Sequence, residues 1–179
     1  LLKTIKDLTF DNIYHEHTNY WSVTSLDKFF KDLGLKIFNV EEIDTHGGSI
    51  RVYVSQEKEI RISKNVQDFL KNEENFGLKK ISTYIDFGKK IENLKKQVLK
   101  NIKSIKETYP SIIGYGAPAK ASTALNYFKI KDEIDFIVED NQLKHGKFVP
   151  GVKIPIVAKE SIKNSDATIL VLAWNFYDE

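Results

Sequence analysis

Two stretches of this chain hold residue types that could do chemistry. The first is Tyr14-His15-Glu16-His17, followed by Thr18-Asn19-Tyr20-Trp21. His15 and His17 stand two apart, so on an extended chain they share a face, with Tyr14 and Glu16 opposite. An imidazole titrates near neutrality and can remove a proton beside a carbonyl. A neighbouring carboxylate can raise and orient such a base, and a tyrosine hydroxyl can stabilise an enolate oxygen. Two other readings fit the same residues. A metal could be held by His15, His17 and the distant His46, although the spacing is not the one-turn separation of a helical zinc motif. Alternatively one histidine caps a turn and the other is solvated.

The second stretch is Ser111-Ile112-Ile113-Gly114-Tyr115-Gly116-Ala117-Pro118-Ala119-Lys120. An apolar run that breaks into glycines and then a proline reads as strand, tight turn and helix start. Gly114 and Gly116 allow backbone angles closed to other residues, and Pro118 suits the first helical position. Gly-x-Gly-x-x-Ala at such a junction is an anion cradle by geometry, because unpaired N–H groups and the helix dipole both favour negative charge. Lys120 in the first turn adds a cation, mildly unfavourable there unless an anion is near. Glu139 lies 25 residues beyond Gly114, near the end of Ile134–Asp140, which reads as a strand ending in acid. Such an acid takes a ribose hydroxyl in dinucleotide sites, where the spacing is about 20. An NAD(P)- or nucleotide-binding module is therefore the alternative reading.

The elements that would position these residues alternate. A helix through Leu26, Phe29, Phe30 and Leu33, capped by Thr24 or Ser25 and stopped by Gly34, precedes strands at Lys36–Ile43 and Ser49–Ser55. Residues 64–108 read as helical, with Tyr84, Phe87, Ile91, Leu94, Val98, Ile102 and Ile105 forming an apolar stripe. From residue 111, strand and helix alternate through Pro150–Ile156, a short helix at Lys159–Asn164, and Ala167–Ala173. That last run is apolar on both faces, as in a central parallel strand. The fold class is α/β, with a Rossmann-like βαβαβ half at the C-terminal end.

Composition narrows the classes. Of 27 basic residues only Arg51 and Arg61 are arginine, and the net charge is +2. Guanidinium forks for phosphates and bases are scarce, so nucleic acid is not an expected partner. There is no cysteine, which excludes disulfides and thiolate zinc sites within this stretch. Nothing reads as a signal peptide or membrane span, and a cytoplasmic location is the expectation. The chain starts inside an amphipathic segment and contains no methionine, which reads as a piece of a longer protein.

Five segments in order, FDNIYHEHTNYWSVTSL (10–26), THGGSIRVYV (45–54), GYGAPAK (114–120), VPGVKIPI (149–156) and LAWNFYDE (172–179), resemble the C-terminal region of SAM-dependent deoxysugar C-methyltransferases. The resemblance covers almost the whole chain. It implies a three-part enzyme: a cysteine-rich zinc module, an S-adenosylmethionine-binding Rossmann domain, and a Rossmann-like C-terminal domain. Residues 1–60 would close the SAM domain, 61–108 would be a helical connector, and 109–179 the C-terminal domain. The implied reaction methylates a ring carbon beside the keto group of a nucleotide-diphosphate sugar. By resemblance His17 is the general base and Tyr14 and Glu16 lie at the hexose; Gly114, Gly116 and Lys120, read above as an anion cradle, and Asn175 are the expected substrate contacts. The zinc cysteines and SAM-binding glycines are not in this sequence, so these residues alone are expected not to methylate anything. Strands without their parent sheet are also expected to self-associate, or to pack on the helix at Tyr84–Ile105.

Overall fold

The computed structural model describes residues 1–45, 48–162 and 167–174. They divide into two units: residues 1–9 with 18–89, and residues 10–17 with 90 onward.

The first unit holds helices α1 (Leu2–Lys6), α2 (Val23–Asp32) and α3 (Lys64–Phe76) and strands β1 (Lys36–Ile43) and β2 (Ser49–Ser55), which pair antiparallel. Both strands have the bounds expected from the sequence. Helix α2 is capped by Ser22 rather than by Thr24 or Ser25: the Ser22 hydroxyl accepts the Ser25 N–H, and the Ser25 hydroxyl accepts the Ser22 N–H. That reciprocal box satisfies two donors that a helix start otherwise leaves open. Gly34, at φ +74°, ends the helix as expected. The core is Val23, Ile37, Val40 and Val66, walled by Leu26, Phe30, Val52, Val54, Phe69 and Leu70. Ile37 and Val40 are three apart and would face opposite ways on a regular strand. The register slips between Ile37 and Asn39, and the extra residue turns both side chains inward.

The expected helix over 64–108 is two helices. Gly77 adopts φ +83°, and the Leu78 N–H reaches back to the Glu73 carbonyl, a left-handed stop that only glycine accepts cheaply. The apolar stripe lies on the second of them, α4 (Ile81–Thr108), where Ile91 and Ile102 are buried.

The second unit holds α4 from Lys90 onward, β3 (Ile112–Tyr115), α5 (Ala119–Phe128), β4 (Phe136–Val138), β5 (Ile156–Val157) and β6 (Thr168–Val171). All four strands are parallel, in the order β5-β4-β3-β6. In chain order within the unit this is 3-2-1-4, the start of a doubly wound Rossmann-like sheet, whose direction reverses between β3 and β6. Ile112, Leu125, Ile137 and Val138 are fully buried at its centre. Three local expectations are corrected. Strand β6 is outermost among the described residues, not central, and Ile169 is 54% exposed. Residues 150–155 form a turn with positive φ at Gly151 and Lys153, so strand β5 is confined to two residues. At Lys159–Ser161 there is a single 3₁₀ turn, and residues 163 and 164 lie outside the described residues.

Candidate functional site

The segment 10–17 is a chain of tight turns. A 3₁₀ turn at Phe10–Asn12 is anchored on α5 by the Phe10 ring, whose centroid lies 5.0 Å from Tyr127 and 5.3 Å from Phe128. The Asn12 carbonyl accepts the Tyr14 N–H at 3.1 Å and takes Nδ1 of His17 at 2.7 Å. A carbonyl only accepts, so Nδ1 carries the proton, and in the neutral ring Nε2 is the basic nitrogen. The Tyr14 and His17 rings are 4.3 Å apart. Burial and then the negative charge of Glu16 push the Tyr14 hydroxyl above its usual range, so it stays protonated as a donor. His15 and Glu16 are exposed and face each other at 4.0 Å, a pair that contributes about 0–1 kcal/mol.

At the carboxyl edge of the sheet, the β3–α5 turn is packed from two sides. A Cβ on Gly116, at φ +84°, would lie 2.7 Å from the Ala173 Cβ, and one on Gly114 would lie 2.7 Å from Ile137 and 2.9 Å from Leu172. Both glycines are therefore demanded by close approach of neighbouring strand ends. Pro118 is the cap residue, one position before the first helical residue Ala119, rather than the first helical residue itself. The N–H groups of the turn are largely spent inside the protein. That of Gly116 goes to the Val138 carbonyl at 2.8 Å, and that of Ala117 to Glu139 Oε2 at 2.9 Å. The Lys144 ammonium bonds Glu139 Oε2 and the Ala117 carbonyl, both at 3.0 Å, and the Asn141 N–H reaches Glu139 Oε1 at 3.1 Å. Burial pushes the Glu139 carboxyl up, but the donors from Asn141, Lys144 and Ala117 outweigh it and hold the group below its usual range. The acid in the ribose position is thus turned onto the turn itself. A pyrophosphate would have to displace it, which weighs against the dinucleotide reading.

Lys120, 6% exposed, sits on the first turn of α5 with Nζ 4.7 Å from the centroid of Trp174. The Trp174 indole N–H donates to Asp11 Oδ2 at 2.7 Å, and Asp11 is 7% exposed. Burial lowers the Lys120 pKa, and the charge of Asp11 works against that shift. A buried ammonium of this kind needs a nearby anion or ring face. The cluster stands where the strand order reverses, beyond the ends of β3 and β6, the usual place for ligands in such sheets.

Among the expected site residues, Tyr14, Glu16, His17, Gly114, Gly116 and Lys120 all fall in the second unit, and Asp11 and Asn12 bridge the histidine segment to the Lys120 side. Asn175 lies outside the described residues. So does His46, and with it the three-histidine metal reading. Among the described residues no group of three His, Cys, Asp or Glu could hold a metal, and no helix is long and apolar enough to cross a membrane. Sequence reasoning passed over Asp11, Asn12, Lys144 and Trp174. Trp174 carried a usable signal, since an aromatic just past an apolar parallel strand falls on the ligand-bearing edge. The first unit has a cavity of about 330 Å³ lined by Leu2, Trp21, Ile43, Phe69 and Glu73. Its acid Glu73 is committed to the Val23 and Thr24 N–H groups.

Comparison with known proteins gives two matches. Residues 44–179 match the family model described as C-methyltransferase C-terminal domain. Over 184 aligned residues the chain is 33% identical to the C-methyltransferase NovU of Streptomyces niveus, covering all of this chain and 43% of that protein. The chain therefore spans less than half the length of this curated relative. On the combined strength of a family model that covers most of its residues and a curated relative aligned throughout, this chain belongs to the C-methyltransferase C-terminal domain family.

Proposed function

We propose that these residues form part of a C-methyltransferase acting on a nucleotide-linked keto-deoxysugar, with His17 as the base. One observation carries the reading. The Asn12 carbonyl holds the Nδ1–H of His17, which leaves Nε2 as the proton acceptor beside a tyrosine that keeps its O–H. Carbon is a poor nucleophile until it loses a proton. Nε2 takes the hydrogen from the carbon next to the ketone, the C–H electron pair moves into the C–C bond, and the carbonyl π electrons move onto oxygen. The Tyr14 hydroxyl can donate to that developing enolate oxygen. A positioned base is typically worth about 10²–10⁴-fold.

S-adenosylmethionine, in this reading, supplies the electrophilic methyl group. The residues of this chain do not fit its binding: the Gly114–Gly116 turn has its first N–H groups bonded to Val138 and Glu139. The cysteine-rich zinc module implied by the resemblance has no thiolate ligands here either, as there is no cysteine. Both belong to sequence beyond these 179 residues, so the isolated chain is inactive in methyl transfer. Lys120, with Asn175, is assigned to the phosphate-bearing end of the substrate, Gly114 and Gly116 shaping the turn beside it without donating their own N–H groups to it, and self-association of the isolated chain accompanies the missing parts. The test is deuterium exchange into the sugar by the full-length enzyme in deuterated water. His17→Ala is expected to slow it about 10²-fold or more, and exchange at the wild-type rate removes His17 from the role.

A further inference from the structure

The peptide that orients His17 is pinned on both sides. Before it, Phe10 is packed against the Tyr127 and Phe128 rings of α5. Asp11 then bonds the Trp174 indole N–H, and next in the chain is Asn12, whose carbonyl takes the His17 Nδ1–H. Asp11 is 7% exposed. A carboxylate so buried is costly unless its bonds are made, so the Trp174 bond constrains where Asp11, and the peptide after it, can lie. An imidazole whose Nδ1–H lost its acceptor would be free to take the other tautomer, with the proton on Nε2, and would then have no lone pair where the substrate proton must go.

We propose that Asp11 is a positioning residue: anchored by Trp174, it fixes the Asn12 carbonyl and so holds His17 in the Nδ1-protonated tautomer. The proposal rests on the reading of His17 as the base, but the tautomer is measurable without any turnover. Lys120 belongs to the same assembly, since its ammonium lies over the Trp174 ring. The anchor of the base and the cation at the strand-order reversal therefore share one indole.

The experiment uses full-length enzyme with ¹⁵N-labelled histidine, reading the tautomer of His17 by two-bond ¹⁵N–¹H correlation. Wild type is expected to show the Nδ1–H form. Asp11→Asn keeps an oxygen that can accept from Trp174 and is expected to retain that form. Asp11→Ala and Trp174→Phe are expected to give a mixture, with kcat for exchange of the substrate α-hydrogen lowered about 10–100-fold and KM little changed. Should Asp11→Ala fail to fold, Trp174→Phe carries the same test, because it removes the indole donor while leaving an aromatic ring under Lys120. A folded Asp11→Ala or Trp174→Phe enzyme with the wild-type tautomer overturns the proposal. A changed tautomer with unchanged exchange kinetics upholds the positioning role and instead removes His17 from its place as base.

Discussion

Removing the charge of Glu139 should loosen the β3–α5 turn by an amount that can be worked out beforehand. The carboxylate accepts the Ala117 N–H at 2.9 Å and the Asn141 N–H at 3.1 Å and pairs with Lys144 at 3.0 Å. Hydrogen bonds to an ionised group contribute about 1.5–3 kcal/mol each. The Lys144 side chain is 37% exposed, so that pair is held to about 1 kcal/mol or less by solvent screening. Glu139→Ala should then cost about 3–7 kcal/mol, and Glu139→Gln about half as much, because its amide oxygen still accepts one donor. The pH dependence follows from the lowered carboxyl pKa. A carboxylate depressed in the folded state binds fewer protons there than in the unfolded chain. Its stabilisation is complete above the ordinary value of 4.5 and disappears as the pH falls through the folded value. The gap between wild type and Glu139→Gln should thus be constant near neutrality and close in acid. Urea unfolding at several pH values, with amide exchange at Ala117, measures both. Equal stability at pH 7, unchanged Ala117 protection, or a gap that widens in acid would each refute the reasoning.

Glu73, 3% exposed, accepts the Val23 and Thr24 N–H groups, both at 2.7 Å, so Glu73→Ala strands two donors at the start of α2. A loss of about 3–5 kcal/mol is expected in thermal unfolding, with faster exchange at Val23, and a loss below about 1 kcal/mol would show the cap to be incidental. Gly116→Ala meets both a positive φ and the Ala173 methyl at 2.7 Å, for an expected cost of about 2–3 kcal/mol. Adding Ala173→Gly should recover part of it; strict additivity of the two changes in a double-mutant cycle would mean the methyls never meet.

Where local chemistry decides, the sequence was legible. Alternation and turn residues set β1 and β2 to their ends, and the glycine-proline punctuation located β3 and α5. Errors arose where an equally good local rule competed. Thr24 and Ser25 can cap as well as Ser22, and only the reciprocal Ser22–Ser25 bonds choose between them. Gly77 could have been a tolerated helix interior, and its left-handed φ is a tertiary outcome. Strand β6 is apolar throughout, which suits a covered strand, but nothing in a strand's own residues says which neighbours it will have. The histidine segment was found from residue types alone. Its partners were not, because the carbonyl of Asn12 has no side-chain signature and the Asp11–Trp174 bond joins residues 163 positions apart.

That separation bears on the order in which the protein can assemble. A chain emerging from the ribosome at about 5–20 residues per second exposes Phe10–His17 well before α5 exists to receive Phe10, and later still before Trp174 exists to receive Asp11. Closing so long a loop costs configurational entropy that grows only as the logarithm of its length, so the delay is a matter of time more than of free energy. In the interval, the residues that follow this segment can complete the α2–β1–β2–α3 core. The histidine segment is then carried without its Trp174 contact until β6 and the residues after it are in place. On the proposal that His17 is the base, its orienting contacts are complete only after β6 and Trp174 have been synthesised.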